Sequence, residues 1–388
     1  TTLNLRLVLE VVRRDNPEIR AAAKRWEASQ KRAIQAATPD KPRLDIERMY
    51  TPDSGSIFSD SEEKAISLTQ EVPFPATLHL RRSAALQEAG VKEAEYRAKT
   101  LEILSMARQT YAGLFLAEKS LQVLEESIGI MRRFSRVAEA KVAAGKASQA
   151  DALKAAVELT RMLNMRVALG SEVRSLQGSL NGLMGRPARS PLRPTEEPAT
   201  RAAAGSGEEL EARALAGRPE AAAAGLAAAR SETGVSLATA EFLPDFMLQY
   251  RSRRDPVRGG THDAVLGLSL PLWFWKPAAM LAEAKAEREM AKAELQAVRL
   301  DTQARTFAAS NRVSATAKLL EAYRTTLLPQ AEESLKVAET AYQADKAGFL
   351  DLLDSQRALL SFKLEYYQYA AEYETRAAEL DRLLGREN

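Results

Sequence analysis

The stretch Leu180-Asn-Gly-Leu-Met-Gly-Arg186 returns about 200 residues later as Leu380-Asp-Arg-Leu-Leu-Gly-Arg386, and self-similarity at a fixed offset marks a duplicated architecture. Upstream of it, Ala144, Lys146, Ala147, Asp151, Leu153 and Leu159 recur as Ala344, Lys346, Ala347, Asp351, Leu353 and Leu359. Val137, Ala138 and Glu139 recur as Val337, Ala338 and Glu339, while Ile66, Leu68 and Phe74 align with Leu266, Leu268 and Phe274. Near each start, Asn16-Pro17-Glu18 pairs with Arg218-Pro219-Glu220 after a short slip in the intervening loop. Gene duplication is the simplest account. It divides the chain into a first repeat, 1–186, a connector, 187–207, and a second repeat, 208–388. The connector holds Pro191, Pro194, Pro198, Gly205 and Gly207 and reads as irregular.

Each half presents the same order of elements. A helix of about 22 residues opens at the Pro-Glu pair, where proline suits the first turn and the acid suits the positive end of the dipole. Pro42 and Pro244 then lead into alternating segments. Phe246, Leu248 and Tyr250 face one way and Met247, Gln249 and Arg251 the other, as do Leu44 and Ile46 against Asp45 and Glu47. Two β-hairpins are expected, about 43–72 and about 244–272, with polar turns at Thr51–Gly55 and Arg254–Gly260. Helical stretches of about 70 residues follow, each about 105 Å long by helical rise, far beyond the globular norm. Return helices of about 38 residues complete helical hairpins at about 75–185 and about 277–385, with the threes-and-fours spacing of a coiled coil. The two shorter helices of each half sum to nearly the length of the long one, which suggests end-to-end stacking. Gly129 and Pro329 occupy one repeat position and predict a bend in both long helices.

Composition fits long helices with small-residue seams: the chain is 45% hydrophobic but only 6% aromatic. There is no cysteine, and His79 and His262 stand far apart, so no thiolate or imidazole metal cage and no cofactor site is indicated. The 55 basic and 52 acidic residues are spread along the chain, against a nucleic-acid-binding tract. No serine, histidine and aspartate set or phosphate-cradling glycine loop supports an enzyme.

No run of 18 apolar residues exists, so no transmembrane helix is expected, and any membrane contact must be made by strands. The chain starts at Thr1 without a charged-then-apolar leader, so if the protein is exported its signal has been removed or lies outside this sequence. Four short strands cannot seal against lipid, because open edges leave backbone groups unpaired, and bacterial barrels begin at about eight strands. A cyclic trimer would pool enough strands to close. Trp273, Phe274 and Trp275 follow the last strand, and Phe74 holds the matching place in the first half. Two readings stand side by side: an interfacial aromatic girdle, or a plug between strands and helices.

Two repeats of short helix, strand hairpin, very long helix and return helix resemble the TolC or outer-membrane-factor family over essentially the whole chain. Its recurring marks are the two Pro-Glu pairs, Leu266-Gly-Leu-Ser-Leu-Pro-Leu272, the segment Tyr342–Asp354 and the duplicated Leu-x-x-Leu-x-Gly ends. The resemblance implies a mainly α protein with a small β part. Four strands per protomer would contribute to a 12-stranded trimeric β-barrel in the outer membrane, and long helical hairpins would form a tunnel wall through the periplasm. It implies a passive exit duct of a tripartite efflux or type I secretion system. The partners implied are two further copies of the chain, outer-membrane lipid, a periplasmic adaptor and an inner-membrane pump. Under it, the hairpin tips, Gly145, Lys146, Ala147 and Ser148 with Lys346, Ala347 and Gly348, meet the adaptor. Asp351 and Asp354 match acids lining the pore entrance, and Asp151 and Tyr342 match positions that tie it shut. Their spacing of three puts Asp351 and Asp354 on one helix face, and threefold repetition would make carboxylate rings favouring cations. The alternative is solvated acids at a helix start. Asp345 stands where the family usually has a tip glycine, and Lys346-Ala347 where an arginine often joins the tie.

A soluble periplasmic scaffold or adaptor is the rival, although no all-β block lies between the helices as an adaptor would require. Cargo is unreadable; a metal-cation duct is a minor variant, because Met131, Met162, Met165 and Met184 are scattered in helices as packing residues are.

Overall fold

The computed structural model describes residues 2–50, 61–198, 205–255 and 259–387. The elements are α1 (Leu5–Asp15), α2 (Pro17–Ala36), β1 (Arg43–Tyr50), β2 (Ser61–Val72), α3 (Pro75–Ala143), α4 (Gln149–Leu183), α5 (Gly207–Gly217), α6 (Pro219–Ala240), β3 (Asp245–Asp255), β4 (Gly259–Ser269), α7 (Trp275–Ala322), α8 (Leu328–Gln343) and α9 (Phe349–Leu383). A π turn, Tyr323–Leu327, joins α7 to α8. The expected turn at Thr51–Gly55, residues 256–258 of the second turn and residues 199–204 of the connector lie outside the described residues.

The order is the same in both repeats, with α1 and α5 as additional short helices. Asn4 caps α1, its side chain accepting from the Arg6 N–H, and Val8, Leu9 and Val12 form the buried stripe. Ser206 and Glu209 form a capping box at α5. The last strand ends at Ser269 and α7 begins at Trp275, so Leu270 and Leu272 fall beyond the ladder. The helix runs unbroken through Gly129, whereas the π turn stands just ahead of Pro329. Proline has no N–H and its ring crowds the carbonyl four residues earlier, here Thr325, so the looser π register accommodates it.

Two compact units each draw on both repeats: Thr1–Ala21, Arg97–Arg218 and Leu300–Asn388 form one, and Ala22–Tyr96 with Pro219–Arg299 the other. In the first unit, α3, α4, α8 and α9 share a core of Leu124, Ile128, Met131, Phe134, Met162, Leu335, Leu352 and Leu353. Met131, Met162 and Met184 are buried packing residues, and Met165 is exposed. The duplicated Leu-x-x-Leu-x-Gly ends have a structural cause. Gly185 and Gly385 take φ values of 69° and 70°, and the N–H groups of Arg186 and Arg386 reach back to the carbonyls of Asn181 and Asp381 at 2.8 and 2.9 Å. These are Schellman ends. They also allow close approach: a Cβ at Gly185 would stand 2.7 Å from the Asp15 carbonyl oxygen, and one at Gly385 would stand 2.1 Å from that of Gly217. Asn16 makes the first of these junctions a splice. Its Nδ2 donates to the Leu183 carbonyl at 2.9 Å, while its Oδ1 accepts from the N–H groups of Glu18 and Ile19 at 2.9 and 3.2 Å. One side chain thus satisfies the end of α4 and the start of α2, groups that would otherwise be orphaned.

In the second unit the strands form one antiparallel sheet in the order β1-β2-β3-β4. The pairing of β2 with β3 joins the two repeats, and β1 and β4 are the outer strands. Among the helices of this unit, Trp26 of α2 stacks on Tyr96 of α3 at 5.9 Å, and Leu226 of α6 packs on Gly90 of α3.

Candidate functional site

The two helical-hairpin tips share one backbone. At the first, the Lys146 N–H reaches the Lys141 carbonyl at 2.8 Å and Gly145 has φ 70°; at the second, the Lys346 N–H reaches the Ala341 carbonyl at 2.8 Å and Asp345 has φ 60°. Asp345 is the one described non-glycine residue in the left-handed region, where a side chain normally costs about 1–2 kcal/mol. Lys141, at the end of α3, supplies the compensation. Its ammonium donates to the Asp345 carboxylate and to the Tyr342 carbonyl, and it sits 4.2 Å from the Tyr342 ring centroid. Lys146 adds a longer contact to Asp345 at 3.7 Å. Asp345 therefore titrates below the ordinary carboxylate value, chiefly through its hydrogen bond from Lys141. The hairpin tips of the two repeats are tied to each other by this cluster.

Tyr342 is buried against Phe349, ring centroids 5.8 Å apart, and its hydroxyl is one of the few buried polar atoms without a partner. Burial raises its pKa, with Lys141 opposing. Asp151 is half-buried in the first turn of α4. Asp351 and Asp354 lie exposed in the first turns of α9, but they differ. An Asp351 oxygen accepts the Gly348 N–H at 3.1 Å, closing the N-terminus of its own helix, whereas Asp354 reaches only Arg357 at 3.7 Å. Arg357 also binds Glu158, a buried carboxylate of α4. Among the tip residues, Lys146, Ser148, Lys346 and Gly348 are exposed and Ala147 and Ala347 half-buried. Ser148 caps α4 through its side chain, accepting from the Ala150 N–H at 3.1 Å; Gly348 has φ −76°, so its position does not demand glycine. Lys141 and the Glu158–Arg357 pair were not singled out from sequence. Their partners are about 200 residues away, and no local spacing signals such a contact.

The sheet has two unlike faces. One carries Leu44, Ile46, Ile66, Leu68, Leu248, Tyr250, Leu266 and Leu268, all exposed and aligned across the strands in register. The other carries Asp45, Glu47, Ser67, Thr69, Gln249, Arg251 and Asp263. An apolar face of this size, turned outward, is what a lipid-facing wall requires. Trp273, Phe274 and Trp275 are 67%, 67% and 58% exposed and packed on one another, as a girdle would be. Phe74 differs: it is half-buried, stacks on Phe246 at 6.4 Å, and its N–H bonds Asp245 at 3.0 Å, as a plug would. No described helix is long and apolar enough to cross a membrane. No described group of histidine, aspartate and glutamate residues could hold a metal ion.

A four-stranded sheet with an apolar outer face, joined to very long helical hairpins, defines the class of barrel-and-tunnel channel subunits. The chain matches the family model for outer membrane efflux protein over residues 8–186 and 210–386, and it belongs to that family. It is an outer-membrane efflux channel, a conduit extending from that membrane into the periplasm. It is similar to the cobalt-zinc-cadmium resistance protein CzcC of Cupriavidus metallidurans, 25% identical with 99% of this chain and 90% of that protein covered. Solved structures with the same fold include the outer-membrane channel OprN (TM-score 0.85, 19% identity, covering 98% of this chain and 89% of that one). CusC follows at 0.85 and 16% (98% and 92%), and VceC of Vibrio cholerae at 0.84 and 18% (98% and 96%).

Proposed function

We propose that three copies of this chain close one barrel and serve as the exit duct for a pump that expels divalent metal cations, reached through a periplasmic adaptor. The duct itself carries out no chemistry. The single observation carrying the cargo is the end-to-end likeness to a cobalt-zinc-cadmium resistance protein. Trimerisation is supported by the unpaired outer strands β1 and β4 and by the large apolar side chains left on helix surfaces. Leu153, Val157 and Val167 of α4 are 62%, 68% and 69% exposed, a stripe suited to a neighbouring copy. Deleting the gene should raise cellular zinc, cobalt and cadmium severalfold and leave drug tolerance unchanged. Unaltered metal content would sink the cargo assignment.

The entrance is the region of Asp151, Tyr342, Asp351 and Asp354, with the tips Gly145–Ser148 and Lys346–Gly348 as the adaptor surface. Because Asp351 is committed to its helix end, Asp354 carries the larger share of any carboxylate ring. Asp354→Ala should reduce cation preference in planar bilayers more than Asp351→Ala. If neither shifts the reversal potential, the ring is absent.

A further inference from the structure

The apolar face of the sheet ends in a charged row. Ile46 pairs with Ile66, and Ile66 with Ser252; one step further from the helices, Arg48 pairs with Lys64 and Lys64 with Arg254. The step is two residues along each strand, so these three cations lie on the same face as the apolar rows. All three are exposed. Adjacent strands stand about 4.8 Å apart, which gathers the three within about 10 Å. The row ends the β2–β3 pairing, and in β1–β2 a register shift between Met49 and Tyr50 follows it.

The height of the row agrees with a membrane boundary. From Phe246 to Arg254 the strand rises about 27 Å, or about 20 Å across a membrane at the usual tilt of about 40°, and Trp273–Trp275 extend the span below. The lipid-facing band of an outer-membrane barrel is about 25 Å tall. Exposed aromatic residues therefore bound the band on the helix side and three cations bound it on the other. The helices extend to the periplasm, so the cationic row faces the outer leaflet. Phosphate is the complementary headgroup chemistry, arginine forks bind it bidentately, and Leu44, Ile46, Ile66 and Leu68 offer acyl chains a continuous surface alongside.

We propose that Arg48, Lys64 and Arg254 form a binding site for the phosphate groups of the phosphorylated glycolipid of the outer leaflet. The inference rests on the outer-membrane placement and is independent of cargo. The test is native mass spectrometry of the intact protein in neutral detergent, offered lipid A bearing both phosphates, dephosphorylated lipid A, or phosphatidylglycerol. The native protein should retain the first at least about tenfold better than the other two, and Arg48→Gln/Lys64→Gln/Arg254→Gln should lose that margin. Arg48→Lys/Arg254→Lys should keep most of it. Retention by the triple variant, or equal uptake of the dephosphorylated lipid or of phosphatidylglycerol, would overturn the site. Should the triple variant not assemble, each single glutamine variant is expected to lose about two- to fivefold, and unchanged binding in all three overturns it equally. Bilayer conductance, which these substitutions should leave unaltered, separates a failed lipid site from a failed duct.

Discussion

The two hairpin tips follow the same path with different chemistry, and the difference identifies which of them bears a contact. Ala144-Gly-Lys-Ala-Ser148 uses glycine at its left-handed position and a serine cap, and nothing stands within 4 Å of where a Gly145 Cβ would be. Ala344-Asp-Lys-Ala-Gly348 reverses the assignment, with a carboxylate at the left-handed position and glycine at the cap. Local propensity explains the first tip completely. It does not explain the second, where the strained residue is held by Lys141 from the other hairpin. Strain maintained by a long-range partner is a marker of function, and here it marks a tie between hairpins at the proposed entrance.

The largest expected effect comes from breaking that tie. Lys141→Met removes both hydrogen bonds and the cation over the Tyr342 ring, and single-channel conductance should rise severalfold. Conductance equal to the native protein would mean that Lys141 does not hold the entrance. Exchanging the tips sharpens the point. Gly145→Asp copies the strained residue to the first tip, where the position of the other hairpin that matches Lys141 is Ala341, and should lower thermal stability by about 1 kcal/mol, with conductance unchanged. Asp345→Gly releases strain and loses the ion pair together, so the two changes oppose each other in stability while conductance rises as in Lys141→Met. If the two glycine–aspartate exchanges behaved alike, the tips would be equivalent turns.

Acid provides a graded version of the same experiment. The folded state lowers the Asp345 pKa below its ordinary value of 3.8, so its contribution is fully present above that value and is lost as pH falls through the lowered one. Conductance should stay flat from neutral pH to about pH 4 and rise only below it. A rise centred near pH 6 would assign the tie to a different group.

Much of this architecture was legible because duplication supplied an internal control: Leu180–Arg186 against Leu380–Arg386 located both return helices, and alternation located both hairpins. The helices α1 and α5 escaped notice, although Asn4 ahead of Val8, Leu9 and Val12 and the Ser206-x-x-Glu209 box were present. At 11 residues each they offer barely three turns of periodicity. The β2–β3 pairing, which merges the repeats into one sheet, depends on tertiary assembly and has no local signature. The same holds at the site. Asp351 was readable as an acid at a helix start, and its carboxylate accepts the Gly348 N–H there. Lys141 was invisible because its partner Asp345 is 204 positions away.

Tyr342 carries the smallest expected change and the sharpest distinction. Its ring packs on Phe349 and under Lys141, yet its hydroxyl is buried without a partner. Removing an unsatisfied buried hydroxyl relieves a desolvation penalty and keeps the packing, so Tyr342→Phe should leave thermal stability within about 0.5 kcal/mol of native or raise it slightly. Conductance should be unchanged if the ring and the Lys141–Asp345 pair make the tie within one copy. An increase would instead mean that the hydroxyl finds its partner only in the assembled trimer, which would extend the contact across the threefold axis. That single substitution therefore decides whether the contact-bearing tip acts within a protomer or between protomers.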